Sequence, residues 1–145
     1  MKIYYREKSG GIEILRCFGI ESRVEIPGMI DGKLVISAAP YAFSSHMDEK
    51  EDLRNASLWE VSDGLEFGRE EHVLAGNDVE EIVFPYTLKE IGRYIFYGCG
   101  NLKKLEFSDS LMQIGCGAFT GCHALEKLTV HMRQGKKSGV KEMLG

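Results

Sequence analysis

Residues 79–101 and 102–124 are two copies of one 23-residue pattern, VEEIVFPYTLKEIGRYIFYGCGN over LKKLEFSDSLMQIGCGAFTGCHA. Seven columns are identical: Phe84/Phe107, Leu88/Leu111, Ile91/Ile114, Gly92/Gly115, Phe96/Phe119, Gly98/Gly121 and Cys99/Cys122. A repeat of this period builds one supersecondary unit per copy, and such units bury their apolar sides only by stacking on each other. A third copy opens at Leu125, with Leu128 and Val130 in the same columns, and then fades. Nearer the N-terminus, Val24, Ile26 and Pro27 match Ile82, Phe84 and Pro85. After a five-residue expansion through Asp31-Gly32, Phe43 takes the place of Phe96 and Phe119.

Each unit begins with apolar residues in alternation (Ile82 and Phe84; Leu105 and Phe107), which predicts a short strand with one buried face. Pro85, or Ser108-Asp109-Ser110, then turns the chain, and Leu88 and Ile91 point a second short segment inward. The glycines at 92/115 and 98/121 mark a positive φ or a close backbone approach. Stacked phenylalanines at 96 and 119 form the spine. The expected organisation is a single solenoid domain over 1–145. Residues 1–23 are a cap, 24–44 a first repeat, 79–101 and 102–124 well-formed repeats, and 125–145 a partial repeat with a C-terminal cap.

The stretch 45–78 stays open. Carrying the frame back puts Trp59, Val61, Leu65 and Val73 of a degenerate unit at 56–78 in apolar columns, but Gly68-Arg69 replaces Ile-Gly. The alternative is a long, partly helical insertion; the charged run Asp48–Asp52 loops out either way, and Trp59 reads as a packed residue. Ile3-Tyr4-Tyr5 and Ile12-Glu13-Ile14-Leu15 read as a hairpin closing through Ser9-Gly10-Gly11, a cap for the exposed first coil. At the other end Val140, Met143 and Leu144 could form a last helical turn, a thin cover that leaves room for a homodimer through an uncapped solenoid end.

The columns Ile82, Phe84, Pro85, Leu88, Ile91, Gly92, Phe96 and Cys99, repeated as Leu102, Leu105, Phe107, Leu111, Ile114, Gly115, Ala118, Phe119 and Cys122, resemble the BspA-type leucine-rich repeats of bacteria. The N-terminal VEIPGMIDGKLVISAAPYAFS is similar to a first repeat of such proteins. The resemblance implies a leucine-rich-repeat solenoid, mainly β with short irregular or 3-10 turns. It further implies a right-handed superhelix whose parallel sheet lies on the concave face, without catalysis. Some relatives act in surface adhesion, a role this chain takes only if a leader was removed. A further alternative is a structural or capping N-terminal domain of a longer protein.

Composition narrows the partners. Eighteen Lys and Arg against 22 Asp and Glu give a formal net charge of −4, which argues against nucleic acid. The short basic cluster Arg133, Lys136, Lys137 and Lys141 reads as a solvated tail. No secretory signal and no apolar run long enough for a bilayer is visible, so a cytoplasmic location and no membrane contact are expected. The four cysteines, Cys17, Cys99, Cys116 and Cys122, are then expected as thiols. Cys116, Cys122 and His123 lack a zinc spacing, and nothing joins Cys17 or Cys116 to His46, His72 or His131 as a nucleophile and base. No catalytic, cofactor or metal site is expected.

If Ile82 and Phe84 face inward, the outward residues are Glu80, Glu81 and Val83, then Lys103, Lys104 and Glu106, then Glu126, Lys127 and Thr129. They align as one column Glu80, Lys103, Glu126 and another Glu81, Lys104, Lys127. These columns read either as a solvated face held in register by cross-strand charges or as a face that binds a protein partner. They hold no Trp, Tyr or Phe to anchor an apolar partner. Tyr86, Tyr94 and Tyr97, in turn or variable columns of one unit, could cluster at a rim.

Overall fold

The computed structural model describes residues 1–44, 53–61, 72–74 and 78–132 of the chain. Its strands are β1 (Lys2–Lys8), β2 (Gly11–Gly19), β3 (Arg23–Glu25), β4 (Met29–Ile30), β5 (Lys33–Ala38), β6 (Ser57–Glu60), β7 (His72–Val73), β8 (Glu81–Val83), β9 (Glu90–Ile91), β10 (Lys104–Ser108), β11 (Gln113–Ile114) and β12 (Lys127–His131). A single 3-10 turn, Leu53–Asn55, is the helical element among the described residues.

The first segment of each repeat forms one parallel sheet in the order β12-β10-β8-β3. Its register is that of the 23-residue period: Ile82 lies beside Leu105, and Leu105 beside Leu128. β3 pairs directly with β8, Val24 beside Ile82. The first coil therefore sits on the coil 79–101 with no strand from 45–78 between them. The described residues of that stretch join the cap instead, β6 alongside β1 and β7 alongside β2, both antiparallel. The positions Asp48–Asp52, Leu65, Gly68-Arg69 and 133–145, with the C-terminal turn and basic cluster foreseen there, lie outside the described residues.

The second segment of each repeat forms a second ladder. β11, β9 and β5 run parallel, and β5 continues parallel to β2 of the N-terminal hairpin, with Ile14 beside Ala38 and Ala38 beside Ile91. The β1–β2 hairpin thus covers the first coil's open edge, as an edge strand must be covered. It turns through Ser9-Gly10, both left-handed at φ 52° and 81°, the geometry of a two-residue hairpin turn. Gly11 already belongs to β2. Asp31-Gly32 joins β4 to β5 in the same way (φ 51° and 76°), which accounts for the extra residues of the first unit.

Between the ladders the core is a stack of rings. Phe43, Phe96 and Phe119 lie face to face across three coils, with centroids 6.2 and 5.8 Å apart. Phe84 and Phe107 form a second stack at 5.2 Å, and Phe84 meets Phe96 edge-on at 6.1 Å. Such offset or edge contacts add to the burial of each ring. The turns are laddered as well: the Phe43 amide donates to Ile95 O and the Phe96 amide to Ala118 O, at 3.0 and 3.2 Å. Coils this close leave no room for a side chain at the Gly92/Gly115 column. A Cβ on Gly92 would meet Pro40 N at 2.3 Å, and one on Gly115 would meet Arg93 N at 2.2 Å.

Candidate functional site

The β3-β8-β10-β12 sheet turns alternate residues outward, because successive strand side chains point to opposite faces. Two rows cross its outer face. Arg23, Glu81, Lys104 and Lys127 form the first, and Glu25, Val83, Glu106 and Thr129 the second. Glu80, Lys103 and Glu126 precede their strands and are exposed, stacked through Lys103 N–Glu80 O and Glu126 N–Lys103 O bonds of 2.8 and 2.9 Å. All nine residues read from the sequence as a candidate partner face therefore lie together. Arg23 and Glu25 extend the face by one strand; their alignment with Glu81 and Val83 was the available signal.

The face is polarised. Toward β3, Arg23 is tied to Glu25 at 3.2 Å and to Glu81 at 3.5 Å, and its pKa is raised, chiefly by the Glu25 hydrogen bond. Lys103 pairs with Glu80 at 3.2 Å, and His131 Nε2 meets Glu106 Oε1 at 2.6 Å. Lys104 and Lys127 sit side by side in register, and among the described residues no carboxylate lies within ion-pair distance of either. They line, with Glu81, Leu105, Glu106 and Thr129, a shallow hollow of about 110 Å³, whose two carboxylates are drawn to Arg23 and His131.

A larger groove of about 580 Å³ opens beside this face, at the C-terminal ends of β3 and β8. Glu25 and Val83 belong to both surfaces, and Pro27, Pro85, Tyr86 and Trp59 supply apolar walls. Tyr86 is 69% exposed. Trp59 is carried on β6, opposite Ile3 of β1, and packs partly against the core. The aromatic groups missing from the sheet columns are thus brought to their border by a turn residue and by a strand from outside the repeat.

The tyrosines divide differently from the expected rim cluster. Tyr94 and Tyr97 gather with Tyr41 of the preceding coil, with centroids 5.6 to 6.4 Å apart. Tyr86 stands away from them against the His131 ring, 5.7 Å distant. Tyr41 occupies the same column as Tyr94, so coils rather than single units collect these rings.

A polar row on the second ladder has no counterpart in the sequence reading. Glu13, Ser37, Glu90 and Gln113 are neighbours across β2, β5, β9 and β11. Glu13, 2% exposed, accepts from Arg6 Nε at 2.9 Å and Lys8 Nζ at 3.0 Å. Lys8 also reaches Glu90 at 2.6 Å, and Ser37 Oγ lies 3.1 and 3.0 Å from the two carboxylates. The Lys8 hydrogen bond, reinforced by Ser37, holds the Glu90 carboxyl below its ordinary pKa. These carboxylates are engaged by Arg6 and Lys8, so the row serves to tie the cap to the coils.

The described cysteines occupy unlike environments. Cys17 is buried in the core, and desolvation pushes its thiol up to about 12, the opposite of an activated nucleophile. Cys116 is exposed, whereas Cys99 and Cys122 stack in adjacent coils and donate to Phe43 O and Phe96 O at 3.3 and 3.4 Å. Cys99 at its side lowers the Cys122 pKa, against the effect of burial. His46 and the side chain of His72 lie outside the described residues. Among the described residues no group of three or more His, Cys, Asp or Glu could hold a metal ion.

Parallel coils of one 23-residue pattern, laddered on two sides around stacked phenylalanines, define a leucine-rich-repeat solenoid. Residues 70–138 match the family model described as BspA type Leucine rich repeat region (6 copies). The match spans the length of three 23-residue units. It begins before Val79 and leaves out the first coil, whose expanded β4–β5 turn departs from the pattern. No curated protein and no solved structure matches the chain. No helix among the described residues is long and apolar enough to cross a membrane.

Proposed function

We propose that this protein is a non-enzymatic protein-interaction module that binds its partner on the outer face of the β3-β8-β10-β12 sheet. The observation that carries this reading is the lysine pair Lys104/Lys127, held in register without a carboxylate partner among the described residues. Like charges directly opposite each other on neighbouring strands are unfavourable, so an incoming acidic group relieves a repulsion as well as making a new pair. The bordering groove adds the apolar, aromatic surface that anchors protein interfaces. A cytoplasmic protein partner fits this reading; the polar and mixed-charge sheet does not suit a nucleic-acid backbone.

The test compares the whole chain with an E81K/K103E/K104E variant as bait, quantifying every captured protein. The reading expects a partner retained by the wild type and lost by the variant, with thermal unfolding of the two alike. Identical capture profiles would overturn it.

A further inference from the structure

The sheet face and the aromatic groove are continuous, and their chemistries differ. Toward β12, Lys104 and Lys127 present two cations over a hollow that Glu81 and Glu106 also line. Toward β3, the neighbouring surface carries Glu25 and Glu81, already engaged by Arg23. The groove that opens there is lined by Val83, Pro85, Tyr86 and Trp59. We infer that this combined surface binds an extended acidic segment of a partner protein, with its carboxylates on Lys104/Lys127 and a large apolar side chain in the Trp59–Tyr86 groove. The inference rests on the sheet face being the binding face and adds the chemistry of what it binds.

Charge complementarity sets the occupant and places its acidic end. An acidic side chain at the β3 end would face Glu25, whereas over the Lys104/Lys127 hollow it meets two cations without an ion pair among the described residues, beside Glu81, which Arg23 engages at 3.5 Å. Glu106, the carboxylate between them, is directed toward His131 at 2.6 Å. The apolar end must then lie over Val83, where the groove is. Lys127 and Val83 are two strands apart, about 9.6 Å, and two residues apart along the strands, about 6.6 Å, which makes a diagonal of about 12 Å. An extended chain covers that span in about three to four residues. The segment recognised is therefore a pair of carboxylates separated by about three residues from a bulky apolar side chain. Aromatic anchoring with charge-set register is a common way of reading short peptides.

The probe is a fluorescein-labelled synthetic peptide of two glutamates, a Ser-Gly-Ser spacer and a tryptophan, titrated with the whole chain by fluorescence anisotropy. Comparison peptides replace both glutamates by lysine, or tryptophan by serine. The inference expects the acidic, tryptophan-bearing peptide to bind at least about fivefold more tightly than either comparison peptide. It also expects K104E/K127E and Y86A each to weaken that peptide by about fivefold or more, and added salt to weaken it further. A K33E/K89E variant, of equal net charge to K104E/K127E but altered away from the face, should bind like the wild type. Absence of binding, equal binding of the lysine peptide, or unchanged affinity in both K104E/K127E and Y86A would overturn the inference. If the bait experiment loses its partner on altering the sheet face while this peptide shows no preference, the face stands and its acidic specificity falls. If neither responds, both fall.

Discussion

Replacing Phe96 by alanine tests the stacked core where it is densest. Phe96 is fully buried, lies between Phe43 and Phe119 at 6.2 and 5.8 Å, and meets Phe84 edge-on at 6.1 Å. Truncating a buried phenylalanine costs about 3–5 kcal/mol, and the loss of three aromatic neighbours places F96A near the upper end, at about 4–5 kcal/mol. Phe119 occupies the same column one coil later but is only half-buried, with Phe96 as its ring partner among the described residues. F119A removes roughly half the buried area and should cost about 2 kcal/mol. Urea unfolding followed by circular dichroism reads the difference. With a slope of about 1.5 kcal/mol/M, the midpoints fall by about 3 M and about 1.3 M. Equal shifts for the two variants, or a larger one for F119A, would refute the reasoning, because one sequence column would then not differ by its depth in the stack.

Gly92→Ala places a Cβ 2.3 Å from Pro40 N and should destabilise by about 3 kcal/mol or more, whereas Gly100→Ala meets nothing within 4 Å and should stay within about 0.5 kcal/mol; urea midpoints distinguish them. Glu90 is held below its ordinary pKa by Lys8 and Ser37, so its contribution is present above the unfolded carboxylate pKa and is lost as pH falls through the lower folded value. E90Q should therefore flatten the acid limb of a stability–pH curve below about pH 4.5, and an unchanged limb would contradict the assignment. Lys8, raised by the same pair, gives the opposite limb: its contribution is complete below the unfolded lysine pKa and declines as pH rises through the folded value, a decline that K8M should remove. In native protein, iodoacetamide should label Cys116 first, while Cys17 and Cys99 should react only on unfolding, as peptide mass analysis would show. Labelling of Cys17 in step with Cys116 would contradict its burial.

The coil, its register and its phenylalanine spine were legible in the sequence because a stacked repeat writes each packing contact as a column. Phe96 and Phe119 recur at one position because they touch, and Gly92 and Gly115 recur because the neighbouring backbone leaves no room for a Cβ. The hairpin cap was legible too, from alternation on both sides of Ser9-Gly10. What lay outside the period was not. Whether 45–78 made a coil depended on which strand β3 would pair with, a contact between residues almost sixty positions apart. The polar row Glu13–Ser37–Glu90–Gln113 crosses from a non-repeating cap into the repeats, so no column contains it. Trp59 reaches the groove through β6, whose pairing with β1 carries no local signal. The candidate face divides in the same way. Its charged rows follow from the period, and its aromatic border does not.

The central claim is that consecutive 23-residue units stack in parallel with equivalent residues side by side. Nuclear Overhauser spectra of the isotope-labelled chain measure this directly. The account predicts ring–ring contacts between Phe96 and Phe119 and parallel cross-strand contacts joining Glu81–Val83 to Lys104–Glu106 in the pairing Ile82 beside Leu105. Close Hα–Hα contacts of an antiparallel pair, a shifted pairing, or the absence of any contact between the two rings would contradict it.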